Sequence, residues 1–91
     1  MSPRVERELE VTKAYRCPCC NFKTLYGRGQ DEICPVCFWH DDGQDDASAG
    51  EVWGGPNYEL SLSCARANFA ATGASCERVK PHVRGPRLEE R

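Results

Sequence analysis

The sequence predicts a small α+β domain folded around a metal, and three observations carry that prediction. Seven cysteines sit in a chain of only 91 residues. Four of them form two Cys-x-x-Cys pairs, flanked by short stretches that alternate like strands. One later stretch, about 61–72, has helical spacing with a start and a stop signal. Zinc-ribbon-like β-hairpins carrying two Cys-x-x-Cys turns, followed by one C-terminal helix, are the architecture expected.

The cysteine excess comes first because it bears on stability. A chain this short buries too little apolar surface for a comfortable margin, so disulfides or a metal are the usual supplements. The N-terminus, Met1-Ser2-Pro3-Arg4-Val5-Glu6-Arg7-Glu8, is charged and lacks the apolar stretch of a signal peptide. No segment approaches the roughly 18 apolar residues that a membrane span needs. A reducing cytoplasmic setting and no membrane partner are therefore expected, and in that setting paired cysteines read as metal ligands. An odd number of cysteines also suits a fully paired disulfide scaffold poorly.

The spacing names the ligands. Cys17-x-x-Cys20 and Cys34-x-x-Cys37 are separated by thirteen residues. Two residues between cysteines allow a tight turn to aim both sulfurs at one point about 2.3 Å away, and two such turns complete a tetrahedron. One structural zinc ion on Cys17, Cys20, Cys34 and Cys37 is the expected cofactor, with iron an alternative that the same ligands admit. Pro18 and Pro35 follow the first cysteine of each pair, where a fixed φ suits the turn. Asn21 tolerates the left-handed conformation such a turn needs at its end; Phe38, its counterpart, does not, so a less regular second turn is expected. A Cys-Pro-x-Cys pair is also used in disulfide exchange, but that chemistry wants a helix N-terminus after the pair, and strand-like residues follow here. Cys19 should point away from the metal, and Cys64 and Cys76 read as core thiols. His40 and His82 read as surface or hydrogen-bonding residues.

Between the pairs, Phe22, Thr24 and Tyr26 alternate with Lys23 and Leu25, 27–30 offers a turn, and 31–33 returns as the second strand of a hairpin. Ser61 suits a helix N-cap, Leu62, Ala65, Phe69 and Thr72 share a face, and Gly73 suits the left-handed residue after the last turn. So short a helix must dock its Leu62/Phe69 face on the ribbon, near Trp39 or Trp53. These boundaries divide the chain into a charged arm at 1–14, a metal domain at 15–76, and a basic tail at 77–91 that reads as extended or disordered.

Charge narrows the partners. Twelve basic against fourteen acidic residues give −2, and four thiolates on one dication make the total more negative still. Such a chain lacks the excess of lysine and arginine on which nucleic-acid affinity depends. A nucleic-acid reading would rest on Arg16, Lys23, Arg28, Arg78, Lys80, Arg84 and Arg87. From Asp31 to Glu51 there are seven carboxylates and no lysine or arginine. Asp41, Asp42, Asp45 and Asp46 fail the spacing of a calcium loop. They form either a solvated loop or, with Trp39 and Trp53 on either side, a surface for a basic protein partner. No nucleophile–base pair or phosphate loop stands out, and four thiolates would close the metal's coordination, so a non-enzymatic interaction module is the expected function. An inhibitor or immunity-type protein is one concrete form.

The chain resembles the bacterial cysteine-rich CPCC family at Cys17-Pro18-Cys19-Cys20, Cys34-Pro35-Val36-Cys37-Phe38-Trp39, Asp41-Asp42-Gly43-Gln44-Asp45, Gly54-Gly55-Pro56-Asn57, Leu62 and Ala65-Arg66-Ala67-Asn68-Phe69. The resemblance spans about 15–86. It implies a bacterial source and a small zinc-ribbon-like domain with a C-terminal helix, and it implies no particular activity.

Overall fold

A computed structural model describes residues 13–91. The charged arm assigned to 1–14 therefore lies almost wholly outside the described residues. Strand β1 (Tyr15–Arg16) pairs antiparallel with β2 (Lys23–Leu25), Tyr15 opposite Leu25 and Arg16 opposite Lys23. The loop between them is the first Cys-x-x-Cys turn. A second ribbon repeats this around the second turn, where Ile33 bridges His40 and Asp31 and Glu32 exchange backbone bonds with Asp41.

This corrects the hairpin expected from sequence. Residues 31–33 do not return along β2; each ribbon closes across its own cysteine turn. The reason is local. Asn21 N–H donates to Cys17 C=O and Cys17 N–H donates to Phe22 C=O, at 2.7 and 2.9 Å, so the chain has reversed within six residues. That reversal lays 15–16 beside 23–25, and 31–33 are left to pair with 40–41 across the second cysteine turn. Glu32 instead joins the ribbons end to end, its carboxylate accepting from Tyr26 N–H at 2.9 Å.

Helix α1 (Leu62–Thr72) follows the sequence signals closely. Ser61 Oγ accepts from Cys64 N–H at 3.1 Å, and Gly73 takes φ 84°, where a Cβ would be strained. Leu62 and Ala65 are wholly buried against Leu25, Val36, Trp39 and the cysteine cluster, while Phe69 meets Phe22 edge-on at 6.4 Å. Trp39 shares the buried core with Leu62 and Ala65 of α1, and Trp53 is half exposed. Ser63 N–H donates to Ala49 C=O and Arg66 Nε to Pro18 C=O, both at 2.8 Å, which fixes the helix between the acidic loop and the first cysteine turn.

The tail is more ordered than its composition suggests. It forms 3-10 turns at Glu77–His82 and Leu88–Glu90, and the second packs on β2. Glu90 is buried and accepts two bonds from Arg84, at 2.9 and 2.8 Å, and one from Arg87 N–H at 2.8 Å. Among the described residues, no helix is long and apolar enough to cross a membrane.

Candidate metal centre

The two cysteine turns are copies of one another, offset by 17 positions in sequence. Cys17 C=O accepts from Asn21 N–H and Cys34 C=O from Phe38 N–H, both at 2.7 Å. Cys17 N–H reaches Phe22 C=O, and Cys34 N–H reaches Trp39 C=O at 3.0 Å. Asn21 has φ 69° and Phe38 φ 67°. The second turn is therefore as regular as the first, contrary to expectation, and Phe38 accepts an unfavourable backbone conformation to keep it so. Stacking of its ring on His82, with centroids 5.3 Å apart, holds that residue in place. The same offset accounts for Cys19. It occupies the position that Val36 fills in the second turn, and both are buried in the core. Cys19 is a small apolar side chain there, not a ligand.

The turns bring Cys17, Cys20, Cys34 and Cys37 together, with all four sulfurs within 4.8 Å of one another. Cys17 and Cys37 stand 3.6 Å apart and Cys20 and Cys34 3.7 Å. A tetrahedron with bonds of about 2.3 Å has edges of about 3.8 Å, so these separations fit four thiolates on one ion. They are far longer than the ~2.05 Å of a disulfide, and no disulfide joins any of the seven cysteines. All four ligand sulfurs are buried.

The electrostatics ask for a cation. The Cys34 thiol is driven strongly down by hydrogen bonds from Cys17, Cys20 and Cys37, with Thr24 adding to them. Cys17 is pushed strongly up, first by Cys20, and Cys37 strongly up, first by Cys17. Four buried negative charges at this spacing need a multivalent cation among them, and a metal ion supplies it. Each pair sits in a β-turn and not at the start of a helix, which leaves out the dipole that disulfide exchange exploits.

The acidic segment is largely spent inside the protein. Trp39 and Asp41, both expected at a partner surface, are completely buried, and that expectation is corrected for both. Trp39 belongs to the buried core together with Leu62 and Ala65 of α1. Asp41 accepts from Arg28 Nε at 2.7 Å and Gly29 N–H at 2.8 Å, and Arg28 also donates to Gln44 C=O. Asp41 in turn raises the Arg28 pKa. Gly29 and Gly43, at φ 72° and 98°, sit in the left-handed region where a side chain would be strained. Asp42 accepts from Gln44 N–H at 3.1 Å and from Asn57 Nδ2 at 3.3 Å. Asp45 caps the 3-10 turn Asp46–Ser48. Asp46 pairs with Arg66 at 2.7 Å but keeps its side chain exposed. Trp53 is exposed and donates to Glu51 at 2.9 Å.

Sequence reasoning missed the residues that organise this loop. Arg28, expected only among nucleic-acid contacts, is the counterion of Asp41. Gln44, wholly buried, donates to Ser48 C=O and Glu51 C=O at 2.8 and 2.7 Å. Asn57 ties the second ribbon by donating to His40 C=O at 2.9 Å. Their polar character hid them; the signal available was a lone arginine facing an acidic run. Cys64, expected in the core, is exposed on α1, while Cys76 is buried. Arg84 is held by Glu90, Lys80 by Glu77, and Arg78 lies 4.3 Å over the Tyr58 ring. The basic residues expected to touch nucleic acid are thus mostly engaged within the fold.

The sequence profile of the family described as Cysteine-rich CPCC matches residues 15–90, while no curated protein and no solved structure matches the chain. Both cysteine turns, the buried loop behind them, the helix and the packed tail lie within that match, and the chain belongs to the cysteine-rich CPCC family.

Proposed function

We propose that this is a non-enzymatic zinc-binding domain that presents an acidic, aromatic surface to a basic protein partner. The observation that carries the first half is the cluster of four buried sulfurs at tetrahedral spacing. Four thiolates fill zinc's coordination sphere and leave no position for a substrate, which favours a structural role over catalysis. The partner surface is narrower than the sequence suggests. It consists of Asp45, Asp46, Glu51 and Trp53, with Val52 and Tyr58 also more than half exposed and Asp42 partly so. An exposed tryptophan beside carboxylates suits an interface anchor facing a cationic surface. The internal pairing of the basic residues makes this reading stronger than nucleic-acid binding. An inhibitor of a basic protein remains one concrete form of it.

Two measurements test the proposal separately. Native mass spectrometry of protein purified without added metal should find one zinc per chain; iron would give a coloured protein instead. Host extract passed over the wild type and over a Val52→Ser/Trp53→Ala/Tyr58→Ser variant of equal zinc content should yield a basic protein on the wild type alone. Recovery of the same proteins on both would overturn the surface assignment.

A further inference from the structure

We propose that Thr24 is a positioning residue of the metal centre, holding the Cys34 sulfur through its hydroxyl; this rests on the metal reading above. Thr24 lies in β2 with only 1% of its surface exposed. Its Oγ1 stands 3.0 Å from Cys34 Sγ and 3.5 Å from Phe22 C=O. A threonine hydroxyl has one proton to give. Phe22 C=O is the more distant acceptor and already accepts from Cys17 N–H at 2.9 Å. The proton therefore goes to sulfur. Branching at Cβ restricts χ1, so the strand backbone aims this hydroxyl with little freedom.

The bond crosses the site. Thr24 belongs to the ribbon of the first cysteine turn, and Cys34 opens the second. By the 17-position offset that relates the two turns, the counterpart of Thr24 is Asp41. Asp41 turns to Arg28 and Gly29 and has no proton to donate when ionised. The hydroxyl–sulfur bond thus has no equivalent on the other side, and it makes an otherwise repeated centre asymmetric. A donor on a thiolate ligand withdraws electron density from it and fixes its direction, the two ways in which outer groups tune a metal. Cys34 is accordingly a weaker donor to the metal, and a more firmly directed one, than it would be without that bond.

The test uses the full chain with Thr24→Val, which keeps the shape and removes the proton, and Thr24→Ser, which keeps the proton and removes the methyl group. Zinc affinity is read by competition with a chromophoric chelator, and ligand character by the sulfur-to-cobalt charge-transfer band of the Co²⁺-loaded protein. Thr24→Val should bind zinc about 10–100-fold more weakly and shift the band to lower energy, while Thr24→Ser stays within about threefold of wild type with an unshifted band. Equal affinity and band position for Thr24→Val and wild type would overturn the proposal. Equal impairment of both variants would also overturn it, since the methyl group would then be what matters. If Thr24→Val fails to fold, Thr24→Ser decides: wild-type behaviour supports the hydroxyl and impairment overturns it. Failure of the wild type to take up metal would instead overturn the metal reading itself.

Discussion

Stripping the metal should unfold the domain, and the size of the effect follows from what the core contains. Beyond the cysteines, the wholly buried large apolar side chains are Leu25, Val36, Trp39 and Leu62, joined by Ala49, Ala65 and Ala74. At about 1.5–3 kcal/mol each, the four large side chains contribute on the order of 10 kcal/mol. A structural zinc contributes roughly 10–16 kcal/mol at neutral pH, as much as the entire net stability of most domains. Removing it also leaves four sulfurs crowded without a cation in a space closed to water. Titration with a chelator should therefore abolish the cooperative melt and the helical circular dichroism together. Trp39 reports on this directly, because it is fully buried while Trp53 is half exposed; a Trp53→Phe background isolates its emission, which should shift to the red. Cys37→Ser should cost about a quarter of the metal's contribution, roughly 3–4 kcal/mol, and weaken zinc binding at least a hundredfold. A chelated protein that still melts cooperatively within about 5 °C of the loaded one, equivalent to ~1 kcal/mol, would refute the reasoning.

Asp41→Ala should destabilise the zinc-loaded protein by about 2–4 kcal/mol in urea titrations, because it strands the partly buried Arg28; the figure is reduced because Arg28 is one-third exposed. Asn21→Gly should leave stability nearly unchanged, whereas Asn21→Val should lose about 1–2 kcal/mol by placing a branched side chain at φ 69°. The Arg84 guanidinium, with help from Arg87 N–H, holds the Glu90 carboxyl at about 2. A depressed carboxyl stabilises the fold above its ordinary value of 4.5 and loses that contribution only as pH falls from there toward about 2. Acid should therefore protonate the thiolates and release the metal before it releases the tail, with amide-exchange protection of 84–91 persisting until zinc leaves. Tail exposure preceding metal loss would contradict this order. Glu90→Gln should raise exchange in the same segment at neutral pH.

What was legible in the sequence was the part governed by short-range rules. Two Cys-x-x-Cys spacings located the sulfurs because the turn geometry is local, and Ser61 and Gly73 bounded the helix because capping is local too. Strand pairing failed because alternation in 22–26 does not say which segment lies alongside, and the cysteine turn, not the glycines at 27–30, reverses the chain. The acidic loop was misread because composition gives charge without direction. Asp41 and Asp45 look alike in sequence; one faces Arg28 in the interior and the other solvent. The tail's order was illegible for a similar reason, since it depends on Glu90 finding two donors from Arg84 and one from the Arg87 backbone at once.

These outcomes change how the acidic segment is to be understood. A net negative chain with a run of aspartates invites the view that the charge exists for a partner. In the fold, the run begins immediately after the second cysteine turn, and its first member neutralises the arginine that closes the 27–30 turn over it. Asp42 and Gln44 then secure Asn57 and the carbonyls of 48 and 51, so the loop is braced from within before it reaches the surface. Asp45, Asp46 and Glu51 are exposed, with Trp53 half so, on a platform held by the second ribbon through Asp41 and by α1 through Arg66. A rigid, pre-ordered patch loses little entropy when a partner docks. On the proposed reading the metal centre and the surface are coupled: loss of the metal should abolish binding of the proposed partner even though all four cysteines are buried. That dependence distinguishes this reading from one in which the acidic segment acts as a detached charged tether, whose affinity would survive removal of the metal.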